Sequence, residues 1–169
     1  NNYIHYPIEE KELQAQVIVQ LKNKKHFDDF DRNIVSTIGD AMIDITTSAF
    51  NKKYLDVAFH DSKKNTQNKT AFVMLDFDNF KTINDEYGHI LGDEVLKEFI
   101  VFLRKSIRPD DRIIRFGGDE FCIFMNVSDE SISFVEKIIN RIEKDLQEQL
   151  FTSMRIKLSV SFGFTFVEQ

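Results

Sequence analysis

Two apolar runs flank a Gly-Gly pair in the second half of the chain. Ile113, Ile114 and Phe116 precede the pair; Phe121, Ile123 and Phe124 follow it. Such runs around paired glycines read as a β-hairpin, because the favoured two-residue turns need positive φ. The pattern predicts a hairpin over 111–126 with Gly117 and Gly118 at its tip. Asp119 and Glu120 follow directly. Carboxylates at a rigid tip suit a hard divalent cation. Glycines lack Cβ atoms, so a bulky ligand can approach their backbone closely. A solvated tip with two surface acids would use the same residues.

The rest of the chain supplies elements to pack on that hairpin. Ala71 to Leu75 is an unbroken apolar run, read as a buried strand over about 70–76. Asp76 then sits at a strand's end, where sites in α/β sheets tend to lie. Helices are expected over 54–59, 79–86, 90–106 and 130–149, the last with Ser128 and Asp129 as N-cap candidates. Residues 61–68 read as a polar loop. Near the end, Ile156, Leu158, Val160, Phe162, Phe164 and Phe166 alternate with small or polar residues, a period-two strand. Residues 8–43 carry apolar side chains at steps of three and four, from Leu13, Val17 and Leu21 to Ile34, Ile38 and Met42. They read as an amphipathic helix broken near 23–27. The element order β-α-α-β-β-α-β predicts an α/β (α+β) fold with an antiparallel-rich central sheet flanked by helices. An N-terminal helical linker over 1–43 would precede a domain over 44–169.

Composition narrows the function classes. The chain has 169 residues, enough for one domain burying roughly 70% of its unfolded surface. It is rich in phenylalanine and carries a net charge of −6. That balance argues against a protein that grips nucleic acid or a membrane surface through a basic face. It leaves room for an anionic nucleotide, provided that metal ions and local cations neutralise the phosphates. Cys122 has no partner for an internal disulfide, and no apolar run or leader marks a membrane span or export signal. The expected compartment is the cytoplasm. A chain opening on Asn1 reads as part of a longer protein, whose upstream part could hold a membrane anchor.

Asp76 is followed within one loop-helix unit by Lys81, Asn84, His89 and Asp93, more polar chemistry than a connection needs. Together, Asp76 to Asp93 and Arg115 to Phe121 resemble the GGDEF family, the diguanylate cyclase catalytic domain. Its pattern, D-x-D-x-F-K-x-x-N-D-x-x-G-H-x-x-G-D and then R-[YF]-G-G-[DE]-E-F, is met here at every defined position. The resemblance implies a fold related to nucleotide cyclases and polymerase palms. It also implies condensation of two GTP into cyclic di-GMP and pyrophosphate by a homodimer with Mg²⁺, or Mn²⁺ in its stead, under an upstream sensory domain.

Residue by residue, Asp76, Asp119, Glu120 and the Phe77 carbonyl would hold the metal, and Asp119 would assist deprotonation of the 3′-hydroxyl. Asn84 and Asp93 would read guanine, which needs both an acceptor and a donor. Lys81 would meet the phosphates, His89 the nucleotide, and Gly117 and Gly118 the triphosphate. Arg108 and Asp111 form R-x-x-D six residues before Gly117, the spacing of the family's product-inhibition site for cyclic di-GMP.

Three features depart from the family pattern. The segment D-x-L-T-G-L-x-N-R appears as Asp44 to Lys52, keeping Asp44, Thr47 and Asn51 but changing both leucines, the glycine and the arginine. The family's helix after the Ser161-Phe162-Gly163 strand is not expected within these residues. The signature's third residue is Asp119 where many members carry Glu. Two other readings stay open: a catalytically weak or inactive module that binds GTP or cyclic di-GMP and signals, and a template-dependent polymerase palm.

Overall fold

Alternation along the two central strands decides how the molecule is layered. The computed structural model describes residues 41–62, 69–127 and 132–167. Within it β1 is Phe50–Asn51, β2 Lys69–Phe77, β3 Arg112–Arg115, β4 Glu120–Val127 and β5 Val160–Val167. They form one five-stranded sheet in the order β1-β3-β4-β2-β5. Every neighbouring pair is antiparallel except β1 with β3. Among the described residues four helices complete the domain: α1 Tyr54–Ser62, α2 Phe80–Tyr87, α3 His89–Ser106 and α4 Ile132–Glu148.

Side chains alternate faces along a strand, so β2 and β4 feed two layers. Ala71, Val73, Leu75 and Phe77, with Phe121, Ile123 and Met125, join the core made with α2, α3 and α4. Phe99 of α3 sits at its centre, 4.6 Å from the Phe77 ring and 5.8 Å from that of Phe121. Phe72 and Phe124 point the other way and pack on Phe59 of α1, with Phe59 and Phe72 stacked at 4.9 Å. Buried aromatic pairs of this kind add about 0.5–1.5 kcal/mol each beyond the area they bury. The phenylalanine-rich composition therefore serves both faces.

The expected fold is the one observed: an antiparallel-rich sheet flanked by helices. Two details differ. The last strand begins at Val160 rather than Ile156; Ile156 instead bridges Phe151, and Ile156 and Leu158 still reach the core. A two-residue strand, β1, falls in the segment 44–53 to which no element was assigned. Of the expected helix over 8–43, residues 8–40 lie outside the described residues, as do the caps Ser128 and Asp129; of the last three only Ala41 is helical, and Ile43 bridges Phe50. Among the described residues, no helix is long and apolar enough to cross a membrane.

Candidate active site

The sheet register brings the acids together. Asp76, near the end of β2, lies opposite Glu120, the first residue of β4, and Asp119 immediately precedes it. Partial burial raises the Asp76 pKa above the usual carboxylate value, and the charges of Asp119, Glu120 and Asp78 push it in the same direction. Four carboxylates so placed repel one another, and a dication relieves that repulsion. Among the described residues no three His, Cys, Asp or Glu side chains converge closely enough to hold an ion alone. The arrangement is open rather than caged. It fits Mg²⁺, which keeps several waters and binds through one or two carboxylates plus a substrate's phosphates.

The loop before Glu120 departs from expectation. Neither Gly117 nor Gly118 has a positive φ. The connection between β3 and β4 is four residues, Phe116 to Asp119, closed by the Phe116 N–H donating to the Glu120 carbonyl at 2.9 Å. With the turn spread over more residues, the mirror-image geometry of a two-residue hairpin is not needed. Arg115 organises this loop. Its Nε and NH2 donate to the Gly118 carbonyl at 3.2 and 2.7 Å, and Nε also reaches the Gly117 carbonyl at 3.3 Å. Its NH1 donates to Asp44 Oδ1 at 2.9 Å. The same Oδ1 accepts the Thr47 N–H and hydroxyl at 2.8 and 2.7 Å. Burial alone would raise the Asp44 pKa, but bonds from Thr47 and Arg115 outweigh it and hold the carboxylate below its ordinary value. A Cβ at Gly118 would meet nothing within 4 Å, so the loop faces open space there.

The remaining candidates flank this centre. Asp78 accepts the Ser161 hydroxyl at 2.7 Å and that of Ser159, which ties it to β5. Phe77 turns its ring into the core. Lys81 lies exposed on the first turn of α2, His89 exposed at the start of α3, and Asp93 exposed one turn later. Gly88 alone separates α2 from α3, at φ 83°, a conformation only glycine adopts easily. This tight junction lays the half-buried Asn84 against Gly92, next to Asp93 in the chain.

Arg108 and Asp111 are also brought together, away from the carboxylates. Asp111 is 9% exposed and accepts the Arg108 N–H at 2.9 Å; burial raises its pKa despite that bond. The Arg108 guanidinium lies 4.5 Å from the centre of the Phe134 ring. Both residues line a cavity of about 610 Å³ that also takes in Phe50, Tyr54 and Arg104.

Sequence reasoning assigned no role to Arg115, Asp44, Asp78 or Gly92. Arg115 and Asp44 stood in motifs, yet no local pattern links two residues so far apart along the chain. The serines that hold Asp78 lie on the period-two strand, where their alternation signalled only an outward face.

The model of the family described as "Diguanylate cyclase, GGDEF domain" matches residues 41–169. The response regulator PleD of Caulobacter vibrioides is 31% identical over 155 residues, covering 90% of this chain and 34% of PleD. The diguanylate cyclase DgcS of Shewanella oneidensis is 41% identical over 88 residues, covering 50% of this chain and 30% of DgcS. The chain thus spans about a third of the length of these relatives. Among solved structures, the GGDEF domain of DgcB from Caulobacter crescentus, in complex with c-di-GMP, superposes with a TM-score of 0.65 at 25% identity, covering 76% of this chain and 79% of that one. The family match, the sheet order and the acids gathered beside the glycine loop agree: the chain belongs to the GGDEF family of diguanylate cyclase domains.

Proposed function

We propose that this domain condenses two GTP molecules into cyclic di-GMP, releasing two pyrophosphates. The observation that carries the reading is the register of Asp76 against Glu120, with Asp119 beside them on a loop fastened by Arg115. Asp76, Asp119 and Glu120 would hold Mg²⁺, or Mn²⁺, with the Phe77 carbonyl; its ring being buried, only the main chain of Phe77 is left for that role. When bound, the metal neutralises phosphate charge and lowers the pKa of the attacking 3′-hydroxyl. Asp119 assists that deprotonation, and Lys81 and His89 meet the nucleotide. Gly117 and Gly118 leave room for the triphosphate, and Asn84 and Asp93 read guanine. Holding two substrates in line supplies much of the acceleration in such a reaction. Since one site accommodates one nucleotide, two domains work face to face as a homodimer.

The same reading assigns the 610 Å³ cavity of Arg108 and Asp111 to cyclic di-GMP as an inhibitory product. An arginine can bond the O6/N7 edge of guanine in a bidentate way. We take 1–43 as a signalling helix and 44–169 as the catalytic domain, with a sensory domain upstream and the cytoplasm as its compartment. The greater length of the relatives supports a regulated, multidomain setting. The changed residues within 44–52 favour one rival, a domain that binds GTP or cyclic di-GMP without turnover.

Product formation from GTP and Mg²⁺ separates the two. The wild-type domain in its longest natural chain makes cyclic di-GMP, and Asp119→Ala loses two or more orders of magnitude in rate, roughly the loss of several kcal/mol of transition-state stabilisation. Circular dichroism should show the variant folded. Equal rates in the two proteins, or no product from either, would remove the catalytic reading.

A further inference from the structure

Gly92 lies within α3, where glycine is a poorer helix former than alanine. Its φ is not positive, so no backbone conformation demands glycine there. What demands it is a neighbour. A Cβ built on Gly92 would stand 2.1 Å from Asn84 Oδ1 and 3.1 Å from Asn84 Cγ. The next atom, Phe80 Cζ, would be at 3.4 Å, an ordinary contact. The bare Cα of Gly92 is therefore the seat of the Asn84 amide. The junction fixes this fit: the Gly88 N–H donates to the Asn84 carbonyl, and the Gly92 N–H to the Gly88 carbonyl.

We infer that Gly92 is a positioning residue for guanine recognition, setting where the Asn84 amide stands. This rests on the reading of Asn84 given under Proposed function. The obstructing atoms are the far end of a side chain with two free torsions, not main chain. An added methyl would swing the amide aside at little cost to the fold, and Phe80, buried in the core, would stay. Binding rather than stability registers the change. If Gly92 served only to let α2 and α3 approach, alanine would lower stability whatever stood at position 84.

The test measures dissociation constants for GTP and ATP, with Mg²⁺, and thermal midpoints for wild type, Gly92→Ala, Asn84→Ala and the double variant. Gly92→Ala and Asn84→Ala should each weaken GTP binding on the order of tenfold, the worth of a lost hydrogen bond, and reduce the preference for GTP over ATP alike. The double variant should bind no worse than Asn84→Ala, because the clash disappears with the amide. The midpoint of Gly92→Ala should stay close to wild type. Wild-type GTP affinity in Gly92→Ala, additive losses in the double variant, or a large drop in midpoint that persists without Asn84 overturns the inference while leaving the site reading intact. A wild type that does not prefer GTP overturns the site reading, and the inference with it.

Discussion

At Asp76 the chain holds a carboxyl where partial burial, and then three other acids, oppose its ionisation. Its folded pKa lies above the unfolded value of 3.8, so the native state binds this proton more tightly than the unfolded chain does. Stability contributed by this group is therefore present at low pH and lost as pH rises from about the unfolded value through the raised one. Above that window the penalty is constant unless a cation offsets it. Asp76→Asn should then raise the thermal midpoint of the metal-free protein at neutral pH by a few degrees. Mg²⁺ should raise the midpoint of wild type and leave the variant nearly unmoved. An equal Mg²⁺ response in both proteins would show that the ion is held elsewhere. Asp76, Asp119 and Glu120 were legible in the sequence because each adjoins a feature that patterns report, a strand's end or a turn. Asp78 was less so, since what orients it are hydroxyls of Ser159 and Ser161, just before and on a strand far along the chain.

For elements, the strands and helices were legible wherever their period was sustained. The hairpin, the helix α3 and the alternating run near the end all follow side-chain spacing. Boundaries depended on partners instead. The ladder between β2 and β5 closes at Phe77 with Val160, and past it the Asp78 N–H donates to Ser159. With no strand left to pair, 156–159 keeps its alternation but not its ladder. β1 escaped notice because two residues carry no period, and its pairing with β3 is set by tertiary contact. The loop Phe116 to Asp119 was misjudged in turn type because Gly-Gly in a longer connection need not adopt positive φ. What shapes that loop is Arg115, which spans two carbonyls and Asp44. Arg115→Ala should lower stability by about 1–3 kcal/mol, the worth of charge-assisted bonds lost from a partly buried site. It should also slow product formation. Arg115→Lys should restore little, because an ammonium lacks the planar fork. Urea unfolding and the product assay check both; full activity in Arg115→Ala would show that the loop holds its shape unaided.

Across the whole molecule, the cavity of Arg108 and Asp111 and the carboxylate centre are joined through β3, which leads from one to the loop of the other. Feedback through so short a path is testable. Arg108→Ala should relieve inhibition by added cyclic di-GMP while leaving the initial rate unchanged. Inhibition of both proteins at the same concentration would reduce the pair to a structural contact. The placing of β1 carries one more consequence. Its two rungs join Phe50 to Ile114 and Asn51 to Arg115, so it grips the very residue that shapes the glycine loop. A two-rung edge strand closed over so long a stretch of chain opens far more readily than the central pair β2 and β4. Amide hydrogen exchange should show Phe50, whose N–H faces β3 while that of Asn51 donates to the Met42 carbonyl, losing protection well before Val73 or Ile123, with no global unfolding. The fastening of Arg115 thus sits on the part of the sheet that breathes first, so the loop beside the acids can be slackened or tightened while the centre of the sheet stays shut.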